Sequence, residues 1–178
     1  RQYLAQALDS MLAQTFTDFE CICVDDGSAD GSLALLRQYA QRDSRIVVIH
    51  RPNTGICGAL NDGLAAARGE LIARMDADDT CHPTRFARQV TYLDSHDDCV
   101  AVGTWVQRTD PFGSPAGTEE PRTDHQSIDQ RLLAGDGGAM VHATLMMRAH
   151  ALRSVGGWRD KYNWVEDLDL FLRLAEFG

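Results

Sequence analysis

The sequence predicts an α/β fold, a mostly parallel sheet with helices on its faces. Three observations predict it. Short apolar runs at 19–24, 46–49 and 71–75 alternate with stretches of helical periodicity. The connections between them are short, as expected when consecutive elements pack together. Acidic turns follow the first and third runs, at the strand ends where open α/β sheets bind ligands.

Residues 2–14 carry Leu4, Leu8, Met11 and Leu12 on one helical stripe. The run 19–24 is rich in strand formers and leads into the turn Asp25-Asp26-Gly27-Ser28. Asp30 is placed to cap the next helix, where Leu33, Leu36 and Ala40 share a face. Residues 46–49 read as a second buried strand. A helix of small residues is expected over 56–68, ended by Gly69. Residues 71–75 form the third strand, with Asp76-Ala77-Asp78-Asp79 at its C-terminal end. Pro83 then opens a helix with Phe86, Val90 and Leu93 inward.

The remainder is less regular. Residues 99–107 read as a strand. Residues 108–124 hold Pro111, Gly113, Pro115, Gly117 and Pro121 and read as a loop. A helix near 125–134 presents Ile128, Leu132 and Leu133, and 142–148 reads as a strand. Gly156-Gly157 breaks the chain. A last helix starts at Glu166, with Leu168, Phe171, Leu172 and Ala175 inward. The whole reads as one domain, 1–178, with the acidic turns in its first half, 1–98, and an irregular second half, 99–178.

The 178 residues suffice for a real core, and 44% hydrophobic with 24% charged residues is an ordinary globular balance. The net charge of −9, from 26 acids and 17 bases, leaves no basic surplus to neutralise nucleic-acid phosphates, so no nucleic-acid partner is expected. An anionic substrate would need a metal or local arginines to offset repulsion. Cys21, Cys23, Cys57, Cys81 and Cys99 are odd in number and match no zinc spacing, so they read as thiols of a reducing cytoplasm. Cys21 and Cys23 share a strand face. No signal peptide and no long uncharged apolar stretch are read in these 178 residues. The expectation is a cytoplasmic domain, at the cytoplasmic face of a membrane if other parts of the protein bring it there.

Asp76 and Asp78 flank one small residue at a strand end. In extended backbone, residues two apart point the same way, so both carboxylates can converge on one site. Paired hard oxygens suit Mg²⁺ or Mn²⁺ with positions left for phosphate oxygens. The alternative is a turn or helix start, which also favours Asp and explains part of Asp79. Crowded carboxylates repel without a cation, which favours the metal.

Asp25 can accept from a nucleobase N–H or a ribose hydroxyl, or simply belong to an Asp-Gly turn. Glu166-Asp167 can supply a general base beside the aromatic and polar stretch Tyr162-Asn163-Trp164, or merely suit a helix N-terminus. His142 reads as a core hydrogen-bonder; His82, His96, His125 and His150 read as surface residues. Arg51, Arg74 and Arg85 have the reach to meet a phosphate or to form salt bridges.

In order and spacing these motifs resemble the family 2 glycosyltransferases of the GT-A, Rossmann-like fold. The matching stretches are 10–20, 24–31, Asn53-Thr54-Gly55 with 59–63, 67–79, 142–148, Gly156-Gly157-Trp158 and 166–175. The resemblance implies a nucleotide-sugar donor, UDP-linked by default, and a hydroxyl acceptor on a glycan or lipid-linked chain. It implies Asp25 at the nucleobase, Gly55 and Asn61 near the nucleotide, Asp76 on ribose or metal, Asp78 on metal, and Asp167 as catalytic base of an inverting transfer. The family opens with a strand ending in Pro-x-Tyr-Asn, placed between the strands at 19–24 and 71–75. This chain begins at Arg1, already at the first helix, so truncation at the N-terminus is expected.

Two rival readings remain. Asp76-Ala77-Asp78-Asp79-Thr80 also fits the Asp-x-Asp-x-Thr motif of haloacid-dehalogenase-type phosphatases, but the only lysine, Lys161, stands five residues before Glu166, whose acidic pair opens a helix rather than following a strand. A sugar-nucleotide-binding module without activity is the non-enzymatic alternative.

Overall fold

The computed structural model describes residues 2–162 and 164–177; Asn163, expected beside a substrate pocket, lies outside the described residues. The first half runs α1 (Leu4–Leu12), β1 (Cys21–Asp26), α2 (Ser32–Arg42), β2 (Ile46–Arg51), α3 (Ile56–Ala66), β3 (Leu71–Ala73), α4 (Arg85–Ser95) and β4 (Ala101–Val102). The second half adds β5 (Val106–Thr109), β6 (Pro115–Glu119), α5 (His125–Leu133), β7 (Met146–Arg148), α6 (Ala149–Ser154) and α7 (Glu166–Ala175). Alternation of strand and helix in the first half is as the periodicity predicts. Asp30 does serve the start of α2: its Oδ1 accepts the Ser32 amide at 3.0 Å.

β1 and β2 pair in parallel, Cys21 opposite Ile46 through Asp26 opposite Arg51. β3 and β4 share a direction, but β7 lies between them and runs antiparallel to both. The pairs β1–β2 and β3–β4 therefore keep the expected parallel sense, while the pairings of β7 are antiparallel. β7 returns from the long second half and is not bound by the crossover geometry that forces parallel pairing. Among the described residues, β1 pairs on one edge only, and so does β3.

The second half departs from expectation at several points. The strand expected over 99–107 is broken at Gly103-Thr104, where the Thr144 hydroxyl accepts the Thr104 amide at 3.1 Å in place of a ladder bond. The loop expected over 108–124 contains β6, which pairs antiparallel with β5. Asp110 closes that hairpin by accepting the amides of Phe112 and Ser114, each at 2.8 Å. Pro115 is tolerated because it begins an outlying strand. Of the expected strand 142–148 only Met146–Arg148 is extended; His142–Thr144 form a 3₁₀ turn. Leu133 is exposed rather than inward. In α7 the fully buried residues are Leu170, Phe171 and Leu174, and Leu168 and Leu172 are only partly buried. Apolar residues populate enough of that helix for periodicity to permit either face.

Three apolar clusters hold these layers. Leu4 and Leu8 of α1, Leu36 of α2 and Ile46 of β2 pack with Cys21 and Cys23. Phe86 and Leu93 of α4 pack on Met146 with Leu71, Phe16 and Phe19. The largest cluster joins Cys57 of α3 to Leu132, Met147, Leu152, Trp158 and the inward face of α7. The effect is to bind α3, from the first half, into the core of the second.

Candidate functional site

The carboxyl ends of β1 and β3 open on one cleft of about 430 Å³. Asp25 and Ser28 reach it from the first acidic turn, and Asp76 and Asp78 from the second. Tyr3 and Leu4 of the α1 end and Leu36 of α2 add apolar wall. Two of the acidic motifs singled out in the sequence are thus brought together.

Asp25 is buried, and its Oδ2 meets His50 Nδ1 at 2.7 Å. Its Oδ1 is buried with no hydrogen-bond partner among the described residues. Burial pushes the carboxyl pKa up, but Ser28 and His50 outweigh it and hold the group below its ordinary value. Asp26, the next residue, points into the loop after β2. It accepts the amides of Thr54 at 3.0 Å and Gly55 at 2.9 Å and lies 3.3 Å from Arg51. Gly27 is needed directly after them: its φ is +80°, and a Cβ there would stand 2.9 Å from the Asn53 nitrogen.

The second turn is arranged differently. Arg74 grips Asp76 with both terminal nitrogens, Nη1 to Oδ2 at 2.7 Å and Nη2 to Oδ1 at 2.6 Å. Arg74 is itself buried, and its carbonyl accepts Arg85 Nη2 at 2.8 Å. Part of the charge crowding that the sequence assigned to a metal is therefore met by Arg74. Asp78 is exposed and has no hydrogen bond or ion pair among the described residues. Asp79 has its pKa raised, first by burial and then by the charges of Asp76 and Asp78. No three His, Cys, Asp or Glu side chains converge as a metal cage among the described residues. Two carboxylates facing an open cleft, with the remaining positions left to phosphate oxygens and water, still fit Mg²⁺ or Mn²⁺.

The other expected site residues lie outside this cleft. Gly55 donates its amide to Asp26 and starts α3 at φ +90°. Both ends of the Asn61 amide are committed to Trp158, Nδ2 to its carbonyl at 2.7 Å and Oδ1 from its amide at 3.0 Å. This pins the Gly156-Gly157-Trp158 turn to α3. Trp158 Nε1 in turn donates to His142 Nε2 at 3.1 Å. Burial, with the charge of Arg74, drives the His142 pKa down to about 3, so its ring is neutral. Asp167 stands in the first turn of α7 with Glu166 and Asp169, and its Oδ1 accepts the Leu168 amide at 2.7 Å. Glu166 Oε2 is buried without a hydrogen bond among the described residues.

Arg51, Arg74 and Arg85 are all engaged within the protein: Arg51 with Asp26 and Asp62, Arg74 with Asp76, and Arg85 with Gln89 and backbone. His82, His96, His125 and His150 are exposed, as expected. Lys161 lies over the Tyr162 ring at 4.6 Å. His50 is the residue that motif reading passed over. The signal was present, because equal counting along two parallel strands places it opposite Asp25.

This architecture is that of the GT-A glycosyltransferases. It superposes on residues 1–349 of TarS from S. aureus with a TM-score of 0.76 at 19% identity, covering 99% of this chain and 52% of that one. The mannosyltransferase PcManGT from Pyrobaculum calidifontis, solved with GDP-Man and Mn²⁺, matches at 0.71 and 18% identity over 97% of this chain and 48% of that one. Residues 1–156 match the model of Glycosyl transferase family 2, and the chain belongs to that family. EpsE of Bacillus subtilis (strain 168) is 36% identical over 98% of this chain and 63% of its own length. The amylovoran biosynthesis glycosyltransferase AmsE of Erwinia amylovora is 31% identical over 98% of this chain and 65% of its own. The chain thus spans less than two thirds of these relatives. Among the described residues, no helix is long and apolar enough to cross a membrane.

Proposed function

We propose that this domain carries out an inverting transfer of a hexose from a nucleotide-diphosphate donor to a hydroxyl of a glycan or lipid-linked acceptor. The observation that carries the reading is the single cleft shared by Asp25, Asp76 and Asp78. Family membership supports it, and so do the donors named for similar structures: UDP-GlcNAc for TarS and GDP-Man for PcManGT. The name of AmsE favours polysaccharide synthesis as the setting.

In this reading Asp25 receives the nucleobase and Asp76 the ribose or the metal. A Mg²⁺ or Mn²⁺ held by Asp76 and Asp78 would supply charge to offset the departing nucleoside diphosphate. Asp167 removes the proton from the acceptor hydroxyl, a poor nucleophile without such help. Attack opposite the leaving group inverts the anomeric centre. Gly55 and Asn61 serve the donor indirectly, by holding the loop after β2 and the Trp158 turn. The work is placed in the cytoplasm, at the inner face of a membrane where the acceptor is lipid-linked.

The test is transfer and donor hydrolysis across a panel of nucleotide sugars with Mn²⁺, for the wild type and Asp167→Asn. Asp167→Asn is expected to lose roughly 10²–10⁴ in kcat with donor affinity kept. Binding of donors with no turnover in the wild type would make the domain a binding module. Hydrolysis of an aryl phosphate through a trapped aspartyl-phosphate would make it a phosphatase. Equal loss of binding and turnover in Asp167→Asn would make that residue structural.

A further inference from the structure

One ring nitrogen is left over between the second acidic turn and α7. His142 stands in the turn just before β7, close to the end of β3, where the Leu145 carbonyl accepts the Arg74 amide at 2.8 Å. The charge of Arg74, which holds Asp76, reaches the His142 ring. On another side the ring meets Phe171 edge to face, with centroids 5.8 Å apart and planes at 82°. Phe171 lies one helical turn after Asp167, on the same face of α7. His142 is therefore flanked by the arginine of the acidic turn and by the helix that carries Asp167.

Trp158 Nε1 can only donate, so the His142 Nε2 that it meets at 3.1 Å must carry a lone pair. That excludes the imidazolium and puts the one ring proton on Nδ1. The arrangement is rigid, because Trp158 is buried and its backbone amide and carbonyl are both held by Asn61. Nδ1 has no hydrogen-bond partner among the described residues, and it is not one of the unpaired atoms sealed from solvent. A fixed N–H on a partly exposed ring, with no acceptor in the protein, is available to a ligand oxygen.

We propose, resting on the transfer reading above, that His142 is a specificity-determining residue whose Nδ1–H donates to an oxygen of the transferred sugar. In that reading the sugar lies between the diphosphate, drawn to Asp76 and Asp78, and the acceptor hydroxyl, drawn to Asp167. His142 is flanked by the elements that carry both. A sugar gains positive charge as its bond to the leaving group breaks, and a neutral donor can hold its oxygens without adding a like charge beside it.

Substitution can separate the two ring nitrogens. His142→Gln keeps an acceptor near the place of Nε2 for Trp158 and removes the donor at Nδ1. His142→Asn keeps a donor near the place of Nδ1 and leaves Trp158 without its acceptor. The experiment is calorimetric titration of the full chain with UDP-GlcNAc, UDP-glucose, GDP-mannose, UDP and GDP, each with Mn²⁺, for the wild type and both variants, with the melting temperature of each. For the nucleotide sugar that the wild type binds most tightly, His142→Gln is expected to lose about tenfold in affinity, with the free nucleotide unchanged and the melting temperature kept. His142→Asn should keep most of that affinity and melt at a lower temperature. The reverse pattern, affinity kept in Gln and lost in Asn, would make His142 a support for Trp158 and overturn the proposal. Equal loss in both variants, no loss in either, or equal weakening of the nucleotide sugar and the free nucleotide would overturn it as well. Each of these leaves the donor-site reading intact. A wild type that binds none of the five would overturn that reading and the role of His142 together.

Discussion

The two acidic turns at the mouth of the cleft use one residue type in opposite ways. After β1, both carboxylates are built into the protein: Asp25 is buried against His50, and Asp26 holds the amides of Thr54 and Gly55. Their partners come from β2 and the loop beyond it, 25 to 29 residues along the chain. After β3, Asp76 is balanced by Arg74, two residues back on its own chain, and Asp78 is left exposed. The first turn is tied into the architecture, while the second remains reachable. A carboxylate committed to backbone amides contributes to stability. One that is exposed and unpaired leaves its charge for a ligand.

That contrast can be broken or sharpened by four measurements. The largest effect is expected from Asp78→Asn, which should cost about 10³-fold in Mn²⁺-dependent transfer, the several kcal/mol that metal-stabilised charge is worth. Its melting temperature should not move, since Asp78 makes no hydrogen bond or ion pair among the described residues. Asp26→Ala should do the reverse. It leaves the Thr54 and Gly55 amides without their acceptor and Arg51 with Asp62 as its remaining carboxylate, and should cost about 2–3 kcal/mol in urea unfolding. If Asp78→Asn unfolds as readily as Asp26→Ala, the two turns are alike and the distinction fails.

Arg74→Met comes next. Removing a guanidinium that covers both oxygens of Asp76 should tighten Mn²⁺ binding on the order of tenfold, read by electron paramagnetic resonance without nucleotide. Unchanged affinity would mean that Asp76 does not face the ion. The smallest effect concerns His142, which feels the same arginine. Its pKa falls from an ordinary 6.5 to about 3. Below pH 6.5 the unfolded chain takes a proton that the folded protein refuses. Stability contributed by the neutral ring is therefore complete above pH 6.5 and is lost as pH falls from there towards 3. The expected loss is about 1 kcal/mol between pH 6.5 and 5.5. His142→Gln should flatten that part of the stability profile, and an unchanged profile would remove His142 as its cause.

How far these features can be read in the sequence differs by region. Apolar periodicity and turn residues locate α1 to α4 and β1 to β3 closely, because each element packs one face on its neighbours. Asp25, Asp76 and Asp78 are legible for the same reason: strand ends in an alternating α/β chain gather on one side. The β5–β6 hairpin was not legible, since its proline and glycines signal a loop and its mostly exposed strands carry no apolar alternation. Asn61 was expected near the nucleotide, and its Nδ2 and Oδ1 each also bond the Trp158 backbone, 97 residues away. Nothing local in the sequence marks that pairing.

Residue types and spacing by themselves determined the fold class, the family and the two acidic turns, because these depend on local propensity and on chain order. Only the tertiary structure decided which carboxylates are spent and which are available. That depends on distant partners, His50 for Asp25 and the Thr54 and Gly55 amides for Asp26. Arg74 is the near neighbour whose role also waited for the fold: two residues from Asp76 it is a salt bridge or a phosphate ligand on paper, and its buried setting commits it to the salt bridge.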